Sequence, residues 1–469
     1  MKVDAILIAA LASTLFITAP ALSRTWHVTP DGTGDAPTIQ AAIDSAQAGD
    51  EVLLAPGTYS RTMQATSGDY MVQMKGDVLL RGEHGATTTV LDGESMGGVI
   101  ACFYVQRTAR IEGLTIRNGT GFSGGGFYAR AAVIRDCIFE NNRVESSFSS
   151  QGGAIYCGDA TIEACQFIGN SCSAGLAPGE GGAVWCHGSL VIDGCYFAGN
   201  VAFSSNPAQG GAVSCGQGTI RNSVFEHNSV SSFRDRDGGY SAAAGGAVAG
   251  SALIEFCTFT DNAAGPGNGF NTGGAVSGGV ISDCLFLRNS AFGYEGAAGG
   301  AVHGAARIIN SVFVGNLART DPSGPGTGGA IAGAGLIQNC TLVGNSGETA
   351  DGVGGIEGAG SVIRGVILYA SVGRACSGTG TWSCSNLWAN HEGDAFCGTD
   401  GGGNLNADPE FCAVDPATSL NFALQKDSPC APGNHPDGVS CGLIGAAPVG
   451  CAAVSVEATN WSRLKSLYR

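Results

Sequence analysis

The sequence predicts an all-β protein whose body is a single parallel β-solenoid. Gly-Gly-Ala-(Val/Ile) recurs every 26 to 35 residues, and Phe-x-x-Asn follows about fourteen residues after each start. Glycine accounts for 77 of 469 residues, charged residues for only 13%, and apolar residues for 44%. This composition is typical of an ordered, turn-rich fold and not of a disordered chain. The glycine motif starts at Gly152, Gly181, Gly210, Gly245, Gly273, Gly299 and Gly328.

A single repeat explains why the copies stack. The stretch 161–167 is too short and too closely bounded by glycine for a helix, and its apolar residues suit a short strand. The Gly-Gly pair permits a tight backbone corner. Such a unit cannot bury its apolar side alone, but it can do so by stacking on a copy of itself.

Stacking in register predicts columns of like residues along the solenoid. An internal aromatic column is Phe139, Phe167, Phe197, Phe225, Phe259, Phe286 and Phe313, continued by Leu342. A hydrogen-bonded corner column is Asn142, Asn170, Asn200, Asn228, Asn262, Asn289, Asn316 and Asn345. A third column is Cys137, Cys165, Cys195, Ser223, Cys257, Cys284, Ser311 and Cys340, and a fourth is Cys157, Cys186 and Cys215, then Gly250. Parallel side chains one rung apart hold Cβ atoms farther apart than a disulfide favours, so buried thiol packing is the preferred interpretation.

The N-terminal region has two predicted parts. Residues 1–23 resemble a signal peptide, with Lys2 before an apolar core and small residues at the cleavage site, which indicates export to an oxidising compartment. Residues 24–60 form a cap, in which 35–50 is the clearest helix of the chain and 51–54 a strand. The helix is expected to cover the open end of the solenoid core.

The repeats are expected over residues 61–375, and terminal rungs with a disulfide-rich cap over 376–451. Seven cysteines fall in this last region, an odd number, so at least one pairs elsewhere or stays reduced. They are Cys376, Cys384, Cys397, Cys412, Cys430, Cys441 and Cys451. The tail 452–469 is basic and amphipathic, and is either a sorting or docking tag or a frayed terminus.

The net charge of the chain disfavours several classes of binding partner. A formal net charge of −16 opposes binding to nucleic acid, anionic membranes and polyanionic glycans, unless a basic patch or a bridging Ca²⁺ intervenes. No membrane span is expected after removal of the signal. No metal site or cofactor is expected either, because Cys-x-x-Cys is absent and Cys186-His187 lacks partners at usable spacing.

Three sets of motifs resemble known families. Residues 35–59, with Pro-Thr-Ile-Gln-Ala-Ala-Ile-Asp and Pro-Gly-Thr-Tyr, look like the opening of pectin-lyase-like β-helix proteins. The paired repeat motifs resemble the polymorphic outer-membrane protein repeat, and segments 408–411, 424–430 and 442–446 resemble the end of secreted bacterial β-helix proteins. The resemblance implies a right-handed solenoid. Autotransported members of the polymorphic family carry a large membrane β-barrel after the repeats. The chain departs from them, since only 18 residues follow Cys451.

The candidate functional residues lie on the outside of the predicted strands. Outward charges two residues before the cysteine column are Glu163, Asp193, Arg221 and Glu255. Stacked one rung apart, they form either a catalytic or ligand-binding ladder or a solvated column of charge, and the second interpretation is preferred. Tyr156 and Trp185 point outward one rung apart and either stack on sugar rings or pack under loops. His187 and His303 are interpreted as ordinary surface histidines.

Three functions remain open on this evidence. The first is a secreted or cell-surface scaffold that binds carbohydrate or surface ligands without catalysis. The second is a polysaccharide lyase, with Ca²⁺ as its possible cofactor, or a glycoside hydrolase of the same fold. The pectin-degrading hydrolase motifs Asn-Thr-Asp, Asp-Asp and Gly-His-Gly do not occur in the chain. The third is a structural component of a surface layer, and fold alone does not decide among them.

Overall fold

The computed structural model describes residues 23–64, 68–103, 107–233, 241–321, 326–413 and 421–451. Two sequence predictions therefore lie outside the described residues. They are the signal peptide, apart from residue 23, and the tail 452–469. Both stay predictions.

Within the described residues, 49 strands, numbered in chain order, form four sheets. Sheet I contains β1 (Thr25–Val28), β2 (Glu51–Leu54), β4 (Tyr70–Gln73), β5 (Leu79–Gly82), β7 (Gly98–Cys102), β8 (Ala109–Glu112), β11 (Phe127–Arg135), β15 (Ile155–Glu163), β19 (Val184–Asp193), β23 (Val213–Arg221), β27 (Val248–Glu255), β31 (Val276–Ser277), β32 (Val280–Ser282), β36 (Val302–His303), β37 (Arg307–Ile309), β40 (Ile331–Ala332), β41 (Leu336–Gln338), β43 (Val353–Glu357), β44 (Val362–Arg364), β46 (Arg374–Ser377), β47 (Thr381–Ser383) and β49 (Thr399–Asp400).

The other three sheets are built from shorter strands. Sheet II contains β3 (Gly57–Ser60), β6 (Thr89–Asp92), β9 (Thr115–Arg117), β12 (Ile138–Glu140), β16 (Gln166–Ile168), β20 (Tyr196–Ala198), β24 (Val224–Glu226), β28 (Thr258–Thr260), β33 (Leu285–Leu287), β38 (Val312–Val314), β42 (Thr341–Val343), β45 (Ile367–Tyr369) and β48 (Asn386–Trp388). Sheet III contains β10 (Thr120–Gly121), β13 (Arg143–Ser146), β17 (Ser171–Ala174), β21 (Val201–Ser204), β25 (Ser229–Ser232), β29 (Ala263–Ala264), β34 (Ser290–Gly293) and β39 (Leu317–Thr320). Sheet IV contains β14 (Ser150–Gln151), β18 (Gly179–Glu180), β22 (Ala208–Gln209), β26 (Ala243–Ala244), β30 (Phe270–Thr272) and β35 (Gly296–Ala298).

The chain winds through these sheets in a fixed order. One turn runs from β15 in sheet I through β16, β17 and β18, and the next turn starts at β19, which pairs with β15 in parallel. Sheet II stacks 13 strands in this way within the described residues. The predicted parallel β-solenoid is therefore confirmed, and its right-handedness stays a prediction from resemblance.

The predicted N-terminal helix is present but shorter than the sequence suggested. Helix α1 spans Ile39–Ser45, and the Thr38 side chain accepts a hydrogen bond from the Ala41 N–H as its N-cap. Three residues of its inner face, Ile39, Ala42 and Ile43, are fully buried. Pro37 precedes the helix because Thr38, with an extended backbone, takes the capping position. The sequence also missed β1, which pairs with β2 before the repeats begin.

The Gly-Gly motif makes the corner between sheets IV and I. The first glycine takes a left-handed conformation, with φ of 62° at Gly152 and 67° at Gly181. The second glycine is needed for space, since a Cβ at Gly153 would lie 2.2 Å from the Gly182 carbonyl oxygen one rung away. Both glycines of the motif therefore have a physical role in closing each turn.

The phenylalanine column runs through the core as predicted, and is called the inner ladder below. Its seven fully buried rings stack with centroid separations of 4.6 to 5.1 Å and interplanar angles of at most 8°. Ile116 and Leu342 continue the column on the neighbouring rungs. Both ends of the inner ladder are therefore covered by buried aliphatic side chains.

The asparagine column forms a continuous hydrogen-bonded ladder at the corner after sheet II. The side chain of Asn228 shows the repeated pattern, because its Oδ1 accepts from both the backbone N–H and the Nδ2 of Asn200. Its own Nδ2 donates to the Phe197 carbonyl and to Asn262 Oδ1 at 3.0 Å each. Each buried amide thus satisfies the backbone of the rung before it.

The cysteines divide into buried thiols and disulfides, as the sequence predicted. The thiols of both repeat columns are buried and reduced, and the Cys137 N–H donates to Cys165 Sγ on the next rung. In the C-terminal region the structure pairs Cys376 with Cys397, Cys384 with Cys441, and Cys412 with Cys451. Cys430 is the odd one; it is buried and reduced, and accepts a hydrogen bond from the Asn386 amide.

Candidate functional site

The outer face of sheet I carries the aromatic side chains that the sequence singled out. Along β15 and β19 the side chains alternate, so that Ile155 and Val184 are fully buried while Tyr156 and Trp185 point outward and are half-buried. Tyr156 pairs directly with Trp185 in the parallel register. The predicted outward pair is therefore brought together on one surface.

These two residues belong to a longer row, called the outer ladder, which consists of Tyr70, Phe103, Tyr128, Tyr156 and Trp185. Tyr128 stacks on Tyr156 with a centroid separation of 4.8 Å, and Tyr156 stacks on Trp185 at 4.7 Å. The ring centroid of Phe103 lies 5.4 Å from that of Tyr128 and 5.9 Å from that of Tyr70. Burial raises the pKa of both Tyr70 and Tyr156, which keeps these phenols neutral.

The outer ladder has an open end at Trp185. Inside the ladder each stacked ring covers the face of its neighbour, so the rings present mainly their edges to solvent. The residues that follow Trp185 in register are Ser214 and then Ala249, neither of which has a ring. Within the described residues the row of phenylalanine, tyrosine and tryptophan rings therefore ends at Trp185, and the His187 imidazole lies beside the indole with a ring-centroid separation of 5.6 Å.

A cavity of about 250 Å³ lies at this open end and is called the Trp185 pocket. Glu180 lies on its wall, and Glu180 Oε2 accepts from Trp185 Nε1 at 3.0 Å and from Gln151 Nε2 at 2.9 Å. Gln209 is the register partner of Glu180 on the next rung. The lining residues are Glu180, Trp185, Cys186, His187, Gln209, Ser214, Cys215, Gly216, Ala249 and Gly250. The pocket thus combines one aromatic face with a few polar groups, which is typical of a small-ligand site.

A larger groove of about 550 Å³ adjoins the other end of the outer ladder and includes Tyr70 in its lining. Arg61 is buried there, and its guanidinium donates to the carbonyls of Gly68 and Gly98. Arg143 is exposed, and its Nε lies 3.8 Å from Glu145 Oε2. The lining residues are Arg61, Gly68, Asp69, Tyr70, Met96, Gly97, Thr120, Gly121, Phe122, Arg143 and Glu145.

The candidate catalytic residues form one column, as expected, on the sheet I strands. Glu163, Asp193, Arg221 and Glu255 are successive register partners. Glu163 Oε2 accepts from Arg135 Nε at 2.6 Å, and this ion pair raises the pKa of Arg135.

The other carboxylates of the column also have partners. Asp193 accepts from Arg221 Nε at 3.0 Å and from Asn222 Nδ2 at 2.8 Å, and Ser282 Oγ lies 3.5 Å from Glu255 Oε1. Arg135 thus pairs with Glu163 and Arg221 with Asp193, in partly exposed ion pairs on either side of the two adjacent carboxylates. The arrangement favours the solvated-column interpretation, and a catalytic role for the four residues stays a prediction.

The two histidines have different surroundings. His187 is exposed at the rim of the Trp185 pocket, and its ring lies 5.6 Å from that of Trp185. His303 is half-buried farther along the same outer face, where burial lowers its pKa. Within the described ranges, no group of three or more His, Cys, Asp or Glu side chains is arranged to hold a metal ion.

Several site residues were not predicted from the sequence. Glu180 lies in sheet IV, five residues before Trp185, and only the corner of the solenoid brings its carboxylate to the indole nitrogen. Tyr128 stands one rung before Tyr156 and follows Gly125-Gly126-Phe127, where phenylalanine replaces the alanine of the Gly-Gly-Ala motif. Counting one rung back from Tyr156 would have found Tyr128, whereas Glu180 required the structure.

The fold and the outer surface define an elongated parallel β-helix protein with an aromatic ladder and two adjacent cavities. Similar solved structures include a family 6 polysaccharide lyase from Pseudopedobacter saltans, with 13% identity, a TM-score of 0.41 and coverage of 87% of this chain and 95% of that chain. A mannuronic acid specific family 6 lyase from the human gut microbiota has 11% identity, a TM-score of 0.36 and coverage of 81% and 83%. Pectate lyase Pel9A has 14% identity, a TM-score of 0.29 and coverage of 91% and 97%.

No family model matches the chain, and no curated protein matches it. The resemblance to the polymorphic outer-membrane repeat therefore rests on the quoted motifs. At these low identities and TM-scores the solved structures leave the ligand of this chain open, so the ligand has to be inferred from the chain's own side chains. In the part of the chain that the structure describes, no helix has the length and hydropathy needed to cross a bilayer.

Proposed function

We propose that this chain is a secreted β-helix protein that binds polysaccharide on the outer face of sheet I, with the open end of the outer ladder as the principal contact. The observation that carries the proposal is the cavity at the end of the outer ladder, which the Trp185 indole lines together with Glu180 and Gln209. An aromatic face provides apolar contact area for a sugar ring, and nearby carboxylate and amide groups bond to its hydroxyls. The three disulfides are consistent with an oxidising compartment.

The surface is long enough for a chain of several sugars. The Trp185 pocket and the groove at Tyr70 lie at opposite ends of the outer ladder, four rungs apart on the register of β4, β7, β11, β15 and β19. The ring centroids of Tyr70 and Tyr128 are 6.3 Å apart, and two steps of 4.8 and 4.7 Å lead on to Trp185, so the row of rings from Tyr70 to Trp185 is at most about 16 Å long. An oligosaccharide laid along the ladder edge would contact both cavities.

Cleavage of the bound polysaccharide is the second candidate function. The observation that favours it is the groove, where Arg61, Tyr70 and Arg143 lie together with the carboxylates of Asp69 and Glu145. A lyase needs positive charge near the sugar carboxylate and a group that removes a proton, and a hydrolase needs two carboxylates. Binding comes first in our proposal because the aromatic surface extends well beyond this groove.

The test is a binding screen of the mature protein against immobilised neutral, amino and acidic polysaccharides. Wild type is compared with Trp185→Ala and with the control Phe148→Ala, which removes a ring that is 70% exposed between sheets III and IV. The proposal predicts that Trp185→Ala lowers affinity for the retained polysaccharide at least tenfold, whereas Phe148→Ala leaves it unchanged. Release of unsaturated or reducing ends by wild type would establish the second candidate.

Two results would contradict the binding proposal. One is that the protein retains no polysaccharide at all. The other is that both variants bind with the affinity of wild type, which would show that the open end of the outer ladder is not the contact.

A further inference from the structure

The Trp185 pocket has an electrostatic character that selects among sugars. Glu180 is the charged side chain of its wall, and within the described residues neither lysine nor arginine lines the cavity. Both hydrogen bonds to Glu180 reach Oε2, and Oε1 accepts none from the described part of the chain. A carboxylate oxygen is thus available beside the open indole face.

Both features favour a positive charge on the ligand. The face of an indole ring carries negative electrostatic potential and attracts a cation that lies over it. The carboxylate of Glu180 lies beside the same ring and adds a charge-assisted hydrogen bond to an ammonium group. A sugar carboxylate, in contrast, would meet Glu180 and the net charge of −16 without a compensating cation in the pocket.

We infer that the Trp185 pocket binds a pyranose unit that carries an unacetylated amino group, with the ring and ammonium over Trp185 and the ammonium bonded to Glu180. The inference rests on the proposed function, because it specifies the sugar class bound at the same site. The hydroxyls of this sugar bond to Gln209 and Ser214. The cavity, about 250 Å³, has room for a single sugar unit.

The Gln151–Glu180–Gln209 column explains how the carboxylate is held. These residues are successive register partners in sheet IV. The Gln151 amide and Trp185 Nε1 both donate to the same oxygen of Glu180, which fixes the carboxylate. Replacement of Glu180 by glutamine retains an oxygen that can accept both bonds but removes the charge. Glu180→Gln therefore separates charge recognition from packing of the indole.

The experiment compares three oligosaccharides of equal length by calorimetric titration of the full-length mature protein. They are oligomers of glucosamine, of N-acetylglucosamine and of galacturonate, measured at a pH where the sugar amine is protonated. Wild type is expected to bind the glucosamine oligomer about tenfold more tightly than the acetylated oligomer. In Glu180→Gln this preference is expected to disappear, and in Trp185→Ala binding of both oligomers is expected to fall at least tenfold.

His187 requires a matched control, because it lines the same pocket and its ring lies 5.6 Å from that of Trp185. His187→Ala is expected to retain the preference for the glucosamine oligomer. Circular dichroism of each variant verifies that the solenoid is intact.

The two proposals fail in distinguishable ways. Equal binding of glucosamine and acetylated oligomers, unaffected by Glu180→Gln but lost in Trp185→Ala, would overturn the charge inference and leave polysaccharide binding in place. Trp185-dependent binding of the galacturonate oligomer in preference to glucosamine would have the same consequence. If no oligomer binds, or if Trp185→Ala has no effect on any of them, the proposed function itself is overturned.

Discussion

The inner and outer ladders share one geometry but differ in how they end. The inner rings stack with centroid separations of 4.6 to 5.1 Å, and Tyr128, Tyr156 and Trp185 of the outer ladder stack at 4.8 and 4.7 Å. Phe103 and Tyr70, at the other end of the outer ladder, are tilted or edge-on to their neighbours. The inner ladder is fully buried and continues into aliphatic residues at both ends, whereas the outer ladder is half-buried and stops where Ser214 replaces a ring. The same stacking therefore stabilises the core in one place and leaves a ring face open for a ligand in the other.

This difference suggests how a repeat protein acquires a binding site. Stacking of rungs provides order in every column, and a site arises where one column is interrupted on a single rung. In the outer column the interruption at Ser214 coincides with a cavity and with the carboxylate of Glu180. In the inner column an interruption would leave a cavity in the core.

The largest expected effect is from breaking the inner ladder in its middle. Phe225 is fully buried between Phe197 and Phe259, so Phe225→Ala removes a large side chain that the neighbouring rungs cannot replace. We expect a loss of about 3–5 kcal/mol in the free energy of unfolding. Denaturant unfolding measures the loss, and hydrogen exchange is expected to localise it to the adjacent rungs. A loss below that of Tyr156→Ala would contradict the account.

The asparagine ladder is expected to be second in importance. Asn228→Ala leaves the Asn200 backbone N–H and the Phe197 carbonyl without their side-chain partners in a buried corner. Unsatisfied buried polar groups of this kind are expected to cost about 2–3 kcal/mol. The matched control is Asn206→Ala, which changes an asparagine outside the ladder. An equal effect of the two substitutions on thermal unfolding would show that the ladder contributes nothing particular.

Breaking the outer ladder is expected to affect stability much less. Tyr156 stacks on Tyr128 and Trp185, but it is half-buried, and its substitution opens to solvent instead of leaving a cavity. We expect Tyr156→Ala to lower the free energy of unfolding by about 1 kcal/mol. The comparison with Phe225→Ala by denaturant unfolding sharpens the distinction between the two ladders. A loss as large as that of Phe225→Ala would mean that the outer ladder is also a structural core.

The smallest effect is expected in the charged column. Asp193 and Arg221 form an ion pair at 2.9 Å in which the arginine side chain is 49% exposed. An exposed pair of this kind contributes roughly 0–1 kcal/mol, so Arg221→Ala is expected to change stability by less than about 1 kcal/mol. The same variant is expected to leave polysaccharide affinity unchanged in the binding screen. A marked loss of binding or of polysaccharide cleavage would restore the catalytic interpretation of this column.

The repeat made much of this structure predictable from the sequence. Once Phe167 and Phe197 are aligned, every residue at a fixed offset from them falls into a column, which is why the asparagine and cysteine columns and the Tyr156–Trp185 pair could be placed. The same alignment also places Gln151, Glu180 and Gln209 in one column, because each directly precedes a Gly-Gly motif, but it does not show that the Glu180 carboxylate reaches the Trp185 indole nitrogen. The position of that side chain depends on the corner geometry.

The two ends of the chain show the limits of repeat-based prediction most clearly. Strand β1 has no repeat motif, and its parallel pairing with β2 depends on the intervening α1. The pairing of Cys384 with Cys441 spans 57 residues of irregular chain, and cysteine spacing alone does not determine it. In both places the decisive contacts are long-range and unrepeated.

The most direct test of the central claim extends the outer ladder by one ring. Ser214 is the register partner of Trp185, so Ser214→Tyr places a ring over the open indole face and fills the Trp185 pocket. Calorimetric titration with the oligosaccharide retained by wild type is expected to show at least a tenfold loss of affinity, and circular dichroism verifies that the solenoid is intact. Unchanged affinity in this variant would contradict the claim that the open end of the ladder is the binding site.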